Sequence, residues 1–186
     1  SDFDLAKFSD CRLLVVGDLM IDEYVWGEVD RISPEAPVQV VAVNDEDYTL
    51  GGSGNVVNNL IALGAEVSVL GVVGDGRDGN LLLSKLAGLG SNTDGIVQEA
   101  GRPTTKKTRI IAEHQQVLRI DRETREAVSR ETFAAIVKSA EKMIPDVDVI
   151  IVSDYGKGLI TRELIVKLTD LSAAGGKLTI ADPKGL

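Results

Sequence analysis

Two carboxylates follow the first strongly apolar run of the sequence. Asp18 and Asp22 stand four residues apart in the segment GDLMID, which begins at Gly17, where that run ends. A carboxylate on a loop beyond a strand end can accept hydrogen bonds from ligand hydroxyls, and bonds to a charged acceptor are stronger than neutral ones. Either residue could instead stabilise a turn. The spacing makes Asp22 the better ligand candidate and leaves its role open.

A glycine-rich segment, GGSGN, leads directly into a stretch with helical periodicity. It contains Gly51, Gly52 and Asn55. Glycines let the backbone approach a ligand closely, and free N–H groups at the start of a helix favour polar or anionic oxygens. The segment lacks the Gly-Lys-Ser/Thr ending of a nucleotide phosphate loop and the spacing of a dinucleotide-binding motif. It therefore predicts either a sugar- or phosphate-binding turn or a plain tight turn.

A basic cluster stands out in this acidic sequence. Its members are Arg102, Lys106, Lys107, Arg109 and Arg119. In a strand, Lys107 and Arg109 share one face and Lys106 lies on the other. Arg109 and Arg119 could approach one another across a hairpin, and like charges that close are tolerated best when an anion lies between them. Solvated edge-strand charges are the alternative explanation. Together these residues are the best candidates for holding a phosphate.

Two further segments each pair a carboxylate with an ammonium just after an apolar run. Asp154 precedes Lys157 by three residues, and Asp182 precedes Lys184 by two. Such pairs suit recognition of hydroxyls together with phosphate oxygens, although a surface ion pair would have the same pattern. We interpret all four as candidate substrate-binding residues. The sequence contains no metal-ligand cluster and no nucleophile–base pair with diagnostic spacing, so we expect no metal site.

Alternating strands and helices must position these residues. Short Val, Ile and Leu runs predict strands that are buried on both faces at 13–17, 67–73, 147–153 and 177–182. Apolar residues at spacings of three and four predict helices at 55–63, 80–89, 130–143 and 162–174, the last of them capped by Thr161. This alternation is typical of an α/β fold with a mainly parallel sheet flanked by helices.

Three predicted strands have no helical partner. They lie at 37–43, 106–112 and 116–121, and Glu113 and His114 separate the last two like a hairpin turn. The simplest arrangement is a small antiparallel sheet that projects from the main layer, with lid strands near 37–47 and 105–121.

Composition limits the classes of partner. The 186 residues are 44% hydrophobic and carry a formal net charge of −9, with acids and bases interspersed, which argues against a broad nucleic-acid or anionic-membrane surface. The sequence contains a single cysteine, Cys11, so an intrachain disulfide cannot form. No stretch approaches about 18 consecutive apolar residues, and the N-terminus does not resemble a signal peptide. These features predict a cytoplasmic protein.

The ordered motifs resemble those of the ribokinase, or PfkB, family of carbohydrate kinases. They are GDxxxD from Gly17, GGxxN from Gly51 and GxxGDxxxG from Gly71. The sequence is more closely similar to the heptose 7-phosphate kinase domains of bifunctional ADP-heptose synthases in RISPEAPV from Arg31, QQxLRxD from Gln115, SDYxKG from Ser153 and DPKG from Asp182. The resemblance extends over essentially the whole chain and implies a ribokinase-like fold.

The resemblance implies that ATP phosphorylates the anomeric oxygen of heptose 7-phosphate, a step of ADP-heptose and lipopolysaccharide core biosynthesis. The sugar hydroxyls would then be held by Asp22, Gly51, Gly52 and Asn55. Candidates for the existing phosphate are Lys106, Arg109 and Arg119. The lid would also form a homodimer interface.

The sequence departs from the family pattern in lacking the Gly-Ala-Gly-Asp motif that carries the general base. We therefore expect the base and the nucleotide-binding part to lie beyond Leu186, ATP and Mg²⁺ to bind only in the complete enzyme, and residues 1–186 alone to be an incomplete, inactive N-terminal part of the kinase domain. A kinase for another PfkB-type substrate and a non-catalytic sugar-phosphate-binding module remain alternatives.

Overall fold

The computed structural model describes residues 5–184. Within them, strands and α-helices alternate over much of the chain, interrupted by two runs of three consecutive strands. The strands are β1 (Arg12–Gly17), β2 (Leu19–Ile32), β3 (Gln39–Gly52), β4 (Glu66–Gly74), β5 (Asn92–Glu99), β6 (Thr105–Ala112), β7 (Gln115–Arg122), β8 (Val149–Ser153) and β9 (Leu178–Asp182). The helices are α1 (Ser53–Ala62), α2 (Arg77–Gly88), α3 (Arg130–Met143) and α4 (Arg162–Ala174).

The main layer is a parallel five-stranded sheet with the order β5-β4-β1-β8-β9. Both of its faces are covered, because alternate side chains of β1 enter two different cores. Leu14 and Val16 pack in a cluster with residues of α3 and α4, and Val15 packs in a second cluster with residues of α1 and α2. The predicted α/β fold with a parallel sheet and flanking helices is therefore confirmed.

The main-layer elements follow the sequence pattern closely. Helices α3 and α4 have the predicted bounds, and the Thr161 hydroxyl caps α4 by accepting a hydrogen bond from the Leu164 N–H at 3.2 Å. Helices α1 and α2 begin two and three residues before their predicted starts, at Ser53 and Arg77. Strand β5 was not predicted, because its sequence NTDGIVQE is largely polar and only Gly95 within it is buried.

The second sheet, which we call the lid, has four strands in the order β3-β2-β6-β7. The three predicted strands are present as β3, β6 and β7, but the prediction of a purely antiparallel sheet was wrong, because it missed β2, whose outer half is interrupted by acidic residues and two bulges. Strand β2 pairs with β3 in antiparallel fashion and with β6 in parallel. Strands β6 and β7 form the predicted hairpin, and Glu113 and His114 take the positive φ angles, 49° and 67°, that a two-residue hairpin turn requires.

None of the helices within residues 5–184 combines the length and the apolar composition needed to span a membrane.

Candidate functional site

A cavity of about 770 Å³ lies where the lid meets the helices of the main layer. Strands β2, β3 and β6, helices α1 and α2 and the loop after β8 all contribute to its wall. The polar and glycine residues of the lining are Asp22, Tyr24, Thr49, Gly51, Gly52, Asn55, Asn58, Lys85, Lys107, Arg109 and Tyr155. Of the residues predicted to bind substrate, the structure thus brings Asp22, Gly51, Gly52, Asn55 and Arg109 together.

Asp22 and Arg109 form an ion pair in the cavity wall. An Asp22 Oδ1 to Arg109 Nη1 distance of 2.6 Å joins β2 to β6, and both side chains are about four-fifths buried. The hydrogen bond that Arg109 donates to Asp22 raises the pKa of Arg109, and the guanidinium lies over the Tyr24 ring, 5.3 Å from the centroid. Asp22 belongs to a strand and not to the expected loop, so its direction is fixed by the sheet and by Arg109.

The glycine pair ends β3 beside Asp22. A Cβ atom on Gly51 would overlap Asp22 Oδ2, so the glycine leaves room for the Asp22 carboxylate in its observed position. Gly52 has a φ of 54° and is the N-cap of α1, and it has no side chain that could cap the helix. The first N–H group, of Ser53, donates to the Asp18 carbonyl at 3.1 Å. Asn55 in the first turn of α1 and Asn58 one turn later reach the same cavity. The hydroxyls of a ligand could therefore form hydrogen bonds with a carboxylate, two side-chain amides and helix N–H donors at one wall of the cavity.

Two lysines complete the cavity from different elements. Lys107 comes from β6, where it is the register partner of Asp22, and Lys85 comes from the last turn of α2. Both residues are partly buried. Among residues 5–184, no side chain forms a hydrogen bond or an ion pair with either ammonium group. Sequence reasoning included Lys107 in the basic cluster that was a candidate for holding a phosphate, but it did not assign Lys107 individually, and it did not assign Lys85, Asn58, Tyr24 or Tyr155.

Lys106 and Arg119 lie outside the cavity lining. Lys106 is 7% exposed on the opposite face of β6, and its ammonium is 3.2 Å from Asp78 and 3.6 Å from Glu23. Arg119 is indeed the register partner of Arg109, but its guanidinium is 2.9 Å from Asp121. The expected anion between the two arginines is therefore not needed, because each guanidinium has a carboxylate of its own.

Asp18 organises the loop that carries Tyr155 into the cavity. Asp18 is buried, which raises its pKa, and its Oδ2 accepts the N–H groups of Tyr155 at 2.8 Å and Lys157 at 3.1 Å. Its role in the structure is thus to hold this loop. Asp154 accepts a hydrogen bond within the same loop, from the Gly156 N–H at 2.8 Å.

Three other predicted residues also make structural contacts away from the cavity. The buried Lys157 ammonium is 2.5 Å from Glu123 and lowers the pKa of that carboxyl. The Asp182 carbonyl accepts the Asp154 N–H at 3.1 Å, and Lys184 donates to the Tyr155 carbonyl at 3.1 Å. The adjacent ends of β8 and β9 therefore form one connected loop region, in which the Lys184 ammonium binds a backbone carbonyl and the Lys157 ammonium pairs with Glu123.

Within residues 5–184, no group of three or more His, Cys, Asp or Glu side chains is arranged to hold a metal ion.

Comparison with protein families and with curated sequences gives one consistent result. Residues 11–186 match the family model described as pfkB family carbohydrate kinase. The sequence is 58% identical over 184 residues to the bifunctional protein HldE of Desulfatibacillum aliphaticivorans, covering 99% of this chain and 38% of that protein. It is 51% identical over 174 residues to the bifunctional protein HldE of Helicobacter hepaticus, covering 94% of this chain and 36% of that protein. The chain thus spans less than two-fifths of the length of these relatives.

Solved structures with the same fold have much lower sequence identity. A putative phosphofructokinase from Staphylococcus aureus is similar with a TM-score of 0.72 and 17% identity, over 91% of this chain and 52% of that one. Arabidopsis thaliana ribokinase, complexed with ribose and ATP, is similar with a TM-score of 0.66 and 17% identity, over 95% of this chain and 54% of that one. The described fold therefore corresponds to about half of each of these two structures.

Proposed function

Because this chain belongs to the pfkB family of carbohydrate kinases, we propose that it is the acceptor-binding part of a kinase that transfers a phosphoryl group from ATP to a sugar hydroxyl. The observation that carries this proposal is the Asp22 carboxylate, held by Arg109 against the Gly51–Gly52 end of β3, in the wall of a cavity of about 770 Å³. A fixed carboxylate beside the first turn of a helix suits a ligand rich in hydroxyls.

The contribution of these residues to the reaction would be orientation of the acceptor. Phosphoryl transfer depends mainly on positioning and on charge stabilisation, so holding the sugar in one pose contributes directly to the rate. In the complete protein, ATP with Mg²⁺ would supply the phosphoryl group. The described residues offer no donor set for that metal ion. We propose that the general base and the nucleotide-binding groups belong to the part of the kinase fold that this chain, which corresponds to about half of the related solved structures, does not span.

The acceptor would be heptose 7-phosphate, phosphorylated at its anomeric oxygen. This proposal is supported by the motifs that the sequence shares with heptose 7-phosphate kinase domains and by 45–58% identity to several proteins named bifunctional HldE. The product would then enter ADP-heptose formation for the lipopolysaccharide core, a cytoplasmic reaction sequence. The unpaired lysines of the cavity agree with an anionic acceptor.

A substrate panel tests the proposal. Full-length protein is incubated with ATP and, separately, with heptose 7-phosphate, fructose 6-phosphate, tagatose 6-phosphate, ribose or a nucleoside, and ADP release is measured. We expect turnover of heptose 7-phosphate with the highest kcat/KM. Turnover of another acceptor in its place would reject the heptose assignment and leave the kinase. Binding of sugar phosphate without turnover of any acceptor would indicate a non-catalytic binding module.

The lid would also form a homodimer interface. Strand β7 is an edge strand that is exposed along its whole length, and its apolar side chains Val117, Leu118 and Ile120 face solvent. An unpaired, apolar sheet edge can pair with a second chain. Light scattering of the full-length protein should therefore give the mass of a dimer, and a monomer at micromolar concentration would contradict this part of the proposal.

A further inference from the structure

We infer that Lys85 and Lys107 form the subsite for a phosphate group that the acceptor sugar already carries. This inference rests on the proposed kinase function and deepens it, because it identifies which side chains would select a phosphorylated over an unphosphorylated acceptor. It keeps Lys107 from the basic cluster that the sequence offered as a phosphate site, and it replaces Lys106, Arg109 and Arg119, which the resemblance had implied.

The first support is the pattern of charge pairing around the lid. The cations that sequence reasoning favoured each have a carboxylate within 4 Å: Asp78 and Glu23 for Lys106, Asp22 for Arg109 and Asp121 for Arg119. Lys85 and Lys107 have no such partner within the described part of the chain, although the whole chain carries a net charge of −9. Partly buried ammonium groups without a counter-charge are poised to accept an anion.

The second support is their position relative to Asp22. Lys107 and Asp22 are register partners on neighbouring parallel strands, which lie about 4.8 Å apart, and both line the cavity. A single sugar phosphate could therefore place its hydroxyls on Asp22 and the glycine turn while its phosphate reaches Lys107. Each lysine offers a point charge with three rotatable donors, which suits a phosphate whose orientation varies.

The third support is that the two lysines belong to different layers. Lys107 lies on the lid and Lys85 on α2 of the main layer. Two like charges in one cavity repel each other, and a phosphate between them would turn this repulsion into attraction. A phosphorylated acceptor would thus hold the lid against α2, whereas an unphosphorylated sugar would leave the repulsion in place.

Lys85, unlike Lys107, could have a purely structural role. A cation in the last turn of a helix interacts favourably with the helix dipole. That role would affect all acceptors equally, so the test needs to compare acceptors with and without phosphate. Lys107 lies in a strand and has no equivalent explanation.

The test uses full-length protein with the substitutions Lys85→Met and Lys107→Met. Lys138→Met is the matched control, because Lys138 is an exposed lysine of α3 away from the cavity lining. For each variant, kcat/KM is measured with the phosphorylated acceptor, and the inhibition constant is measured for the same sugar without its phosphate. Hydrogen bonds to charged groups predict a loss of about ten- to hundred-fold in kcat/KM for each cavity variant. The inhibition constant should change less than about two-fold, and Lys107→Arg should restore most of the kcat/KM.

The inference is wrong if both cavity variants affect the two measurements equally, or if neither changes kcat/KM. It is also wrong if the wild-type kinase turns over unphosphorylated sugars alone. These outcomes differ from failure of the proposed function, in which the wild-type full-length protein phosphorylates no sugar at all.

Discussion

We expect Arg109 to position the Asp22 carboxylate and not to bind the substrate directly. The guanidinium is 2.6 Å from the Asp22 carboxylate and lies over the Tyr24 ring. These two protein contacts already occupy part of the guanidinium. Replacing it in Arg109→Met keeps most of the aliphatic volume and removes both contacts. Asp22 would then lose the group that fixes its direction in the cavity.

The size of the effect follows from the geometry. A partly buried, charge-assisted hydrogen bond contributes about 1.5–3 kcal/mol, and a cation–π contact at a partly exposed site adds about 0.5–1 kcal/mol. If most of this energy serves to hold Asp22 in its productive orientation, kcat/KM for the acceptor should fall about ten- to hundred-fold. The KM for ATP should stay within about two-fold of the wild-type value, because in our proposal ATP binds a different part of the protein.

A double-mutant cycle decides between the two roles of Arg109. We compare Arg109→Met, Asp22→Asn and the double variant in the full-length protein, with acceptor kcat/KM as the readout. If Arg109 works through Asp22, the double variant should cost no more than Asp22→Asn alone, within about 0.5 kcal/mol. Arg119→Met is the control, because it removes the cross-strand guanidinium that pairs with Asp121, and it should change kcat/KM less than about two-fold. Losses that simply multiply would show that Arg109 binds the substrate directly and would refute this reasoning.

Three further predictions concern the supports of the cavity. Asp18→Ala leaves two loop N–H groups without their buried acceptor, so we expect a loss of about 2–4 kcal/mol in urea unfolding of the full-length protein. The control Asp154→Ala removes one exposed contact and should cost less than about 1 kcal/mol; equal costs would contradict the role of Asp18. Lys157 lowers the pKa of Glu123, so their pair should stabilise the fold above the ordinary glutamate pKa of 4.5 and lose its effect as pH falls through the lower folded-state pKa. Lys157→Met should therefore destabilise most at neutral pH and least in acid, and a pH-independent difference from wild type in thermal unfolding would exclude the pair as the cause. Leu118→Lys places a charge on the exposed edge strand β7, so light scattering should report a monomer. A persistent dimer would show that β7 is not the interface.

The main layer could be predicted from sequence because its signals are local. Apolar runs, helical spacing and the Thr161 cap each act over a few residues, and α3 and α4 have the predicted bounds. Strands β2 and β5 were missed because only these local signals were read. Each contains polar residues that local patterns assign to loops, and each is a strand because neighbouring strands pair with it.

The candidate site was predictable only in part. The glycine turn and Asp22 have signatures in the local sequence, and the two-residue strand period correctly separates Lys106 from Arg109. Which cations are free depends on partners far along the chain. Lys106 pairs with Asp78, 28 residues away, and Lys157 pairs with Glu123, 34 residues away. No local pattern contains these pairings, so the sequence could not show which cations of the cavity lining lack a partner among the described residues, namely Lys85 and Lys107.

The central claim is that the cavity around Asp22 binds the acceptor sugar. The most direct measurement is a steady-state kinase assay of full-length wild type and Asp22→Asn, with heptose 7-phosphate and ATP varied separately. The substitution keeps the shape of the side chain and removes its charge. We expect acceptor kcat/KM to fall about ten- to hundred-fold while the KM for ATP stays within about two-fold. Unchanged acceptor kinetics, or a change confined to ATP, would contradict the assignment of this cavity.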